Sequence, residues 1–200
     1  DLDIIITSGP GNSVTIKRGD GSGDTIDFMA FPIALPSSSN PVAGGFALLN
    51  DDSIPDYITV NNSGSSLSTL QGDGATLGNP SPVPMGDEPM SFGSSDFDND
   101  GDDDLVVSEV DPDSGDRQIA VIRNDSNTII QLGFDDPVAV GSDPTIVATG
   151  DFNDDQLTDI VALIDLNPTL IANSPAIAVY FNETAIVCPE DVDGDGSVAV

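Results

Sequence analysis

Apolar residues in this chain come in short bursts, and four of the bursts open on an aspartate. They are Asp3-Ile4-Ile5-Ile6-Thr7, Asp56-Tyr57-Ile58-Thr59-Val60, Asp104-Leu105-Val106-Val107-Ser108 and Asp159-Ile160-Val161-Ala162-Leu163. A second burst follows each: 14–16, 67–70, 119–122 and 177–181. At the end of the second burst stand Gly19-Asp20-Gly21, Gly72-Asp73-Gly74, Asn124-Asp125 and Asn182-Glu183, in phase with one another. Segments opened by Pro41, Pro89 and Pro144 precede the last three aspartate bursts, and weaker apolar pieces lie at 26–31, 83–85, 129–132 and 185–187. Nowhere do apolar residues hold a 3.6-residue period over several turns. β-Branched residues bounded by Gly, Pro, Asn and Asp predict strands instead.

The pattern therefore predicts a unit of four short strands, recurring at intervals of roughly 50 residues. Such a unit is the sequence form of a β-propeller blade, and the near-continuous apolar strands suit sheets covered on both faces. A β-sandwich is the alternative, but it gives no reason for one acidic loop to recur at one place in every unit. The strand count predicts blades of three, four, four and four strands over residues 1–187, with the first strand of the first blade absent.

The recurring loop is fullest at Asp96-Phe97-Asp98-Asn99-Asp100-Gly101-Asp102-Asp103-Asp104. Two carboxylates about 4 Å apart repel by roughly 4 kcal/mol at an effective dielectric near 20. Such a run either spreads in water or wraps a cation. Oxygen side chains at positions 1, 3, 5 and 9, with glycine at 6 for a sharp turn, fit a hard cation that takes six to eight oxygens. The alternative for each loop is a solvated acidic turn that caps a strand and binds nothing.

Composition narrows the function classes. The chain carries 35 acids against 4 bases, for a net charge of −31. All the acids are Asp except Glu88, Glu109, Glu183 and Glu190, and Asp favours oxygen-rich turns over helices. The field repels nucleic acid and anionic membrane surfaces, and no apolar run reaches the roughly 20 residues of a membrane-spanning helix. Histidine is absent and Lys17 is the only lysine, which removes most of the usual acid–base and nucleophilic groups. Cys188 is the only cysteine, so no disulfide forms within the chain.

Ser95-Asp96-Phe97-Asp98-Asn99-Asp100-Gly101 and Gly150-Asp151-Phe152-Asn153-Asp154-Asp155 resemble the FG-GAP/VCBS repeat of integrin-α-like propellers. The resemblance runs in phase over residues 1–187. It implies a calcium loop between the first and second strands of each blade and a larger propeller of about seven blades, of which this chain holds four. It implies Ca²⁺ on Asp96, Asp98, Asp100 and Asp104 with the Asp102 carbonyl, and on Asp151, Asn153, Asp155 and Asp159 with the Leu157 carbonyl. The second loop departs at position 6, where Gln156 replaces glycine and strains the turn. The earlier loop keeps Asn50, Asp52 and Asp56 but has Leu48 at position 1. Asp1 and Asp3 match positions 7 and 9 of a loop cut short.

The run 188–200 leaves the phase of the repeat. Its Asp191, Asp193, Asp195 and Gly196 fit positions 1, 3, 5 and 6 of an EF-hand-type loop and resemble the start of a dockerin-type module, the alternative being an acidic linker. These readings lead to a non-catalytic, calcium-binding propeller of a secreted or cell-surface protein, in adhesion, ligand binding or structural support. Its partners would be protein or carbohydrate. The long connections at 108–118 and 164–176, with Arg117, are candidate contact loops. The alternatives are the propeller part of a secreted polysaccharide-active enzyme, or a structural protein that self-associates.

Overall fold

The computed structural model describes residues 4–17, 32–50, 52–97, 100–125, 128–132, 143–165 and 176–182. These residues form four separate antiparallel sheets, with no α-helix among them. The first sheet holds β1 (Ile4–Ser8), β2 (Ser13–Lys17) and β3 (Ile33–Ala34) in that order. The second runs β4 (Pro41–Ala47), β5 (Asp56–Asn61), β6 (Ser66–Leu70) and β7 (Ser81–Pro84). The third runs β8 (Asp87–Ser95), β9 (Asp104–Val110), β10 (Arg117–Asp125) and β11 (Thr128–Leu132). The fourth has β12 (Asp143–Gly150), β13 (Asp159–Asp165) and β14 (Ala176–Tyr180). Each sheet is a blade of a partial β-propeller, with neighbouring strands joined in sequence.

The register repeats with the sequence. Ala47 pairs with Asp56, Ser95 with Asp104 and Gly150 with Asp159, so every acidic loop joins the first and second strands of its blade. The pairing of the first strand shifts register between Pro41 and Ala43, between Asp87 and Ser91, and between Pro144 and Ile146. Proline cannot donate to a ladder, and each of these prolines sits in an edge strand beside that irregularity. The first blade also holds a short strand that the sequence pattern did not mark. Ile33–Ala34 pairs with Ser13 and Val14, whereas 26–31 lies outside the described residues, as does 185–187.

The second strands of the two middle blades, β5 and β9, work on two faces at once. Leu105 and Val107 pack against Ile58, Val60, Leu67 and Leu49 of the preceding blade, and Ile122 joins them from β10. Val106 points the other way, into a cluster with Val147, Ile160, Ala162 and Ile164 of the following blade. Val14, Leu35, Tyr57 and Leu70 fill the gap between the first two blades in the same manner. That explains why β5 and β9 read as unbroken apolar runs instead of alternating ones. The first strands approach closely: a Cβ on Gly45 would lie 2.9 Å from Phe92 Cζ, and one on Gly93 2.8 Å from Thr149 Cγ2.

Hydroxyls add a repeated cross-link between those strands. Ser94 Oγ donates to Phe46 O at 3.2 Å, and Thr149 Oγ1 donates to Ser94 O at 2.9 Å one blade later. At the two ends of the series apolar side chains face outward, with Ile4 and Ile6 on β1 and Ile146, Ile177 and Val179 on the last blade.

Leu105→Ala opens a cavity in a fully buried interface and should cost about 2–5 kcal/mol. Ile177→Ser, at a position 71% exposed, should cost under about 0.5 kcal/mol. Urea unfolding of the two variants measures the contrast.

Candidate metal-loop site

The three loops share the hydrogen bond that runs from position 7 back to position 5. At position 5, Asp52, Asp100 and Asp155 each accept the N–H of position 7, from Ile54 (2.8 Å), Asp102 (3.0 Å) and Leu157 (2.8 Å). At position 3, Asn50 accepts from the Asp52 N–H at 3.0 Å and Asn153 from the Asp155 N–H at 3.0 Å. Asp98, the corresponding residue of the middle loop, lies outside the described residues, as do Asp191, Asp193 and Asp195.

Position 1 gathers the turn. Asp96 accepts from the N–H groups of Asp100 and Gly101, both at 3.1 Å. Asp151 accepts from Asp154 (2.6 Å), Asp155 (3.2 Å) and Gln156 (2.9 Å). The Gln156 N–H, ahead of those of Asp154 and Asp155, holds the Asp151 carboxyl below the usual Asp range. Leu48 cannot do this. Instead its backbone pairs with the next loop, its N–H donating to Asp103 Oδ2 at 2.8 Å and its carbonyl accepting from the Asp103 N–H at 2.7 Å.

Position 6 is left-handed in every loop, with φ of 57° at Ser53, 105° at Gly101 and 69° at Gln156. Gln156 thus keeps the turn that glycine makes cheaply, at a cost of about 1–2 kcal/mol.

The position 9 aspartates do something that the spacing did not disclose. Each begins the second strand and takes two backbone N–H groups from two different segments. Asp56 accepts from Leu49 (3.3 Å) and Gly72 (2.7 Å). Asp104 accepts from Phe97 (3.0 Å) and Asn124 (2.8 Å), and Asp159 from Phe152 (2.9 Å) and Asn182 (2.8 Å). The carboxylate bolts the loop's second residue to the end of the third strand. All three aspartates are buried. Burial raises the Asp56 carboxyl above its usual range, outweighing the N–H groups of Gly72 and Leu49 that lower it.

The asparagine that closes the bolt also reaches the preceding blade. Asn124 Nδ2 donates to Leu49 O at 3.0 Å and to Asp103 O at 3.3 Å, and Asn182 Nδ2 donates to Phe97 O at 3.4 Å. The phase of Gly72, Asn124 and Asn182 was visible in the sequence, but this reach was not.

Among the described residues no three His, Cys, Asp or Glu side chains gather closely enough to hold a metal. The loop carboxylates are instead spread over their own N–H groups. Asp151 Oδ1 takes two N–H groups, but both oxygens of Asp96, Asp100 Oδ1, Asp151 Oδ2 and Asp155 Oδ1 take one each, so the scheme leaves room for a cation.

Away from the loops, Glu109 is a buried acid that the sequence reading placed in the 108–118 connection, whereas β9 runs on to Val110 and β10 begins at Arg117. It accepts from the Gly86 N–H at 2.7 Å and from Gln118 Nε2 at 3.1 Å. Burial raises its carboxyl above the usual Glu range despite both bonds. Nearby Arg117 lines an open hollow of about 640 Å³ with Asn62, Ser65 and Asp87. Its guanidinium pairs with Glu88 at 3.2 Å.

Fold and loops together define a propeller-type repeat protein. Residues 49–107 match the family model of the FG-GAP-like repeat. The match runs from one acidic loop, through the next, into the strand after it. A comparison with curated proteins gave no match. Among the described residues no helix is long and apolar enough to cross a membrane.

Asp104→Asn replaces an acceptor of two N–H groups with a group that also donates, and should cost about 2–4 kcal/mol. Measured by urea unfolding in excess chelator, the loss should persist, because it comes from the bolt and not from a metal. Glu109 gives a separate signal. A carboxyl harder to ionise when folded costs stability above its folded pKa, and the cost disappears as pH falls below its unfolded pKa. Acidification from neutral toward the ordinary Glu range should therefore stabilise the chain, and Glu109→Gln should reduce that gain in urea titrations across pH.

Proposed function

We propose that the chain is a non-catalytic, calcium-binding propeller segment of an extracellular or surface protein, serving adhesion, ligand binding or structural support. One observation carries the reading. Oxygen side chains at positions 3 and 5 recur at the same joint of three consecutive blades with the same hydrogen bond from position 7 to position 5 and the same left-handed position 6, and two of the copies add a carboxylate at position 1. The match over 49–107 supports the extracellular setting, since repeats of this kind are typical of extracellular and surface proteins.

The donor set fits the ion. Asp96, Asp98 and Asp100 in one loop, and Asp151, Asn153 and Asp155 in the next, offer hard oxygens with no sulfur or imidazole among them. Asp104 and Asp159 would contribute through their remaining lone pairs, and the carbonyls of Asp102 and Leu157 complete each set. The loop at 48–56 has only Asn50, Asp52 and Asp56, and would bind more weakly. Calcium supplies positive charge at the centre of each acidic loop, and its binding free energy adds to the stability of the fold.

Chelation should lower the melting temperature, and Ca²⁺ should restore it better than Mg²⁺, which gives up water reluctantly. A saturated site contributes about 2.7 kcal/mol at a hundredfold excess over Kd. That is roughly 5–10 °C in a chain of this size. Asp98→Ala or Asp100→Ala should remove most of the response and Asp155→Ala a smaller part. A melting curve unmoved by chelator would overturn the calcium reading.

A further inference from the structure

The two ends of the blade series carry the two halves of one interface. Asp3, Asp56, Asp104 and Asp159 precede equivalent second strands, so residues can be matched blade against blade. Between the second and third blades, Ala43, Ile58, Val60 and Leu67 meet Leu105 and Val107. The last blade offers the first half of that set again. Ile146, Val161 and Leu163 occupy the places of Ala43, Ile58 and Val60, and Ile177 pairs with Leu163 as Leu67 pairs with Val60. The first blade offers the second half. Ile4 and Ile6 occupy the places of Leu105 and Val107, and Lys17 pairs with Ile4 as Ile122 pairs with Leu105.

Inside the series these places are closed, and at its ends they are open. Ile58, Val60, Leu67, Leu105 and Val107 are fully buried, whereas Ile146 is 55% exposed, Ile177 71%, Ile4 39% and Ile6 41%. Among the described residues the two ends therefore do not meet each other. The opposite faces of the same strands are covered, Ile5 by the second blade and Ile160 and Ala162 by the third. The openness is thus confined to the one face of each end blade that repeats an interface.

A face that reproduces half of a blade interface fits the other half, and this chain presents both. A second copy would cover both ends at once. Each copy carries a net charge of −31, which opposes close approach. The last blade meets that with apolar residues, and the first adds Lys17, one of the chain's four basic residues, at the place of Ile122. A lysine stem covers apolar surface while its ammonium favours an acidic partner.

We propose that these faces dock two copies of this chain head to tail, the last blade of each on the first blade of the other, closing a ring through two equal interfaces. Docking between unlike faces stops growing only when the ring closes. Four sheets in each copy make eight, at the upper end of the usual range for propellers. Pairing follows mass action, so dilution separates the copies and opens both ends. The pairing rests on blade packing and not on the calcium reading.

The test is analytical ultracentrifugation of the full chain over a wide concentration range, at physiological and higher salt, with Ca²⁺ and with chelator. The mass should shift reversibly from one copy to two and no further. Ile6→Glu at the head or Ile177→Glu at the tail should each weaken pairing by about tenfold or more. An equal mixture of the two variants should recover part of it, through the one interface that stays native. Melting temperatures in dilute solution should stay near the parent's, because both positions are exposed in a single copy. A single copy under every condition would overturn the proposal, whether or not the variants fold. So would growth beyond two copies, or a pair that either substitution leaves intact. A calcium response without pairing refutes the docking alone, and pairing without a calcium response refutes the metal loops alone.

Discussion

Everything at the loop end of this molecule hangs on one interaction, a buried aspartate carboxylate divided between two backbone N–H groups. Asp56, Asp104 and Asp159 each stand where the acidic loop enters the second strand, and each holds that loop to the end of the third strand. Bonds to a charged acceptor are about twice as strong as neutral ones, and burying that acceptor without them would cost several kcal/mol. The bolt is thus tolerable only when complete. It also places position 2 of the loop, whose carbonyl then receives an asparagine from the following blade at Leu49 and Phe97.

Charge and shape are arranged on different levels around that bolt. Above it the loop carboxylates bind their own backbone, and the three second-strand aspartates are buried. The second strands of the two middle blades, β5 and β9, have no solvent face, because one set of alternate residues serves the blade before and the other the blade after.

Much of the fold was legible in the sequence, for a physical reason: a repeat multiplies weak signals. A single Asp followed by three apolar residues says little, but four copies in phase gave the blade register, and Ala47–Asp56, Ser95–Asp104 and Gly150–Asp159 pair accordingly. The left-handed turn at Gln156 was legible too, since the glycine of its sister loop marked the need. The use of position 9 was not, because a metal ligand and an N–H acceptor call for the same carboxylate at the same place. Glu109 escaped because its partners, Gly86 and Gln118, come from other parts of the blade. Ile33–Ala34 was overlooked because two residues at a strand edge leave no periodic trace.

The way β5 and β9 are divided between two neighbours has a further consequence. Among the described residues a blade packs against the one before and the one after, so the described blades couple as nearest neighbours, and their stability is a sum of unit terms and nearest-neighbour terms. The interior blades are held from both sides, whereas the first and last described blades are held from one, with Ile4, Ile6, Ile146, Ile177 and Val179 turned outward. In such a chain amide exchange follows position in the series. Protection peaks at the strands around Ile58 and Val106 and declines blade by blade toward the outer faces, in the order in which units can detach without breaking two interfaces.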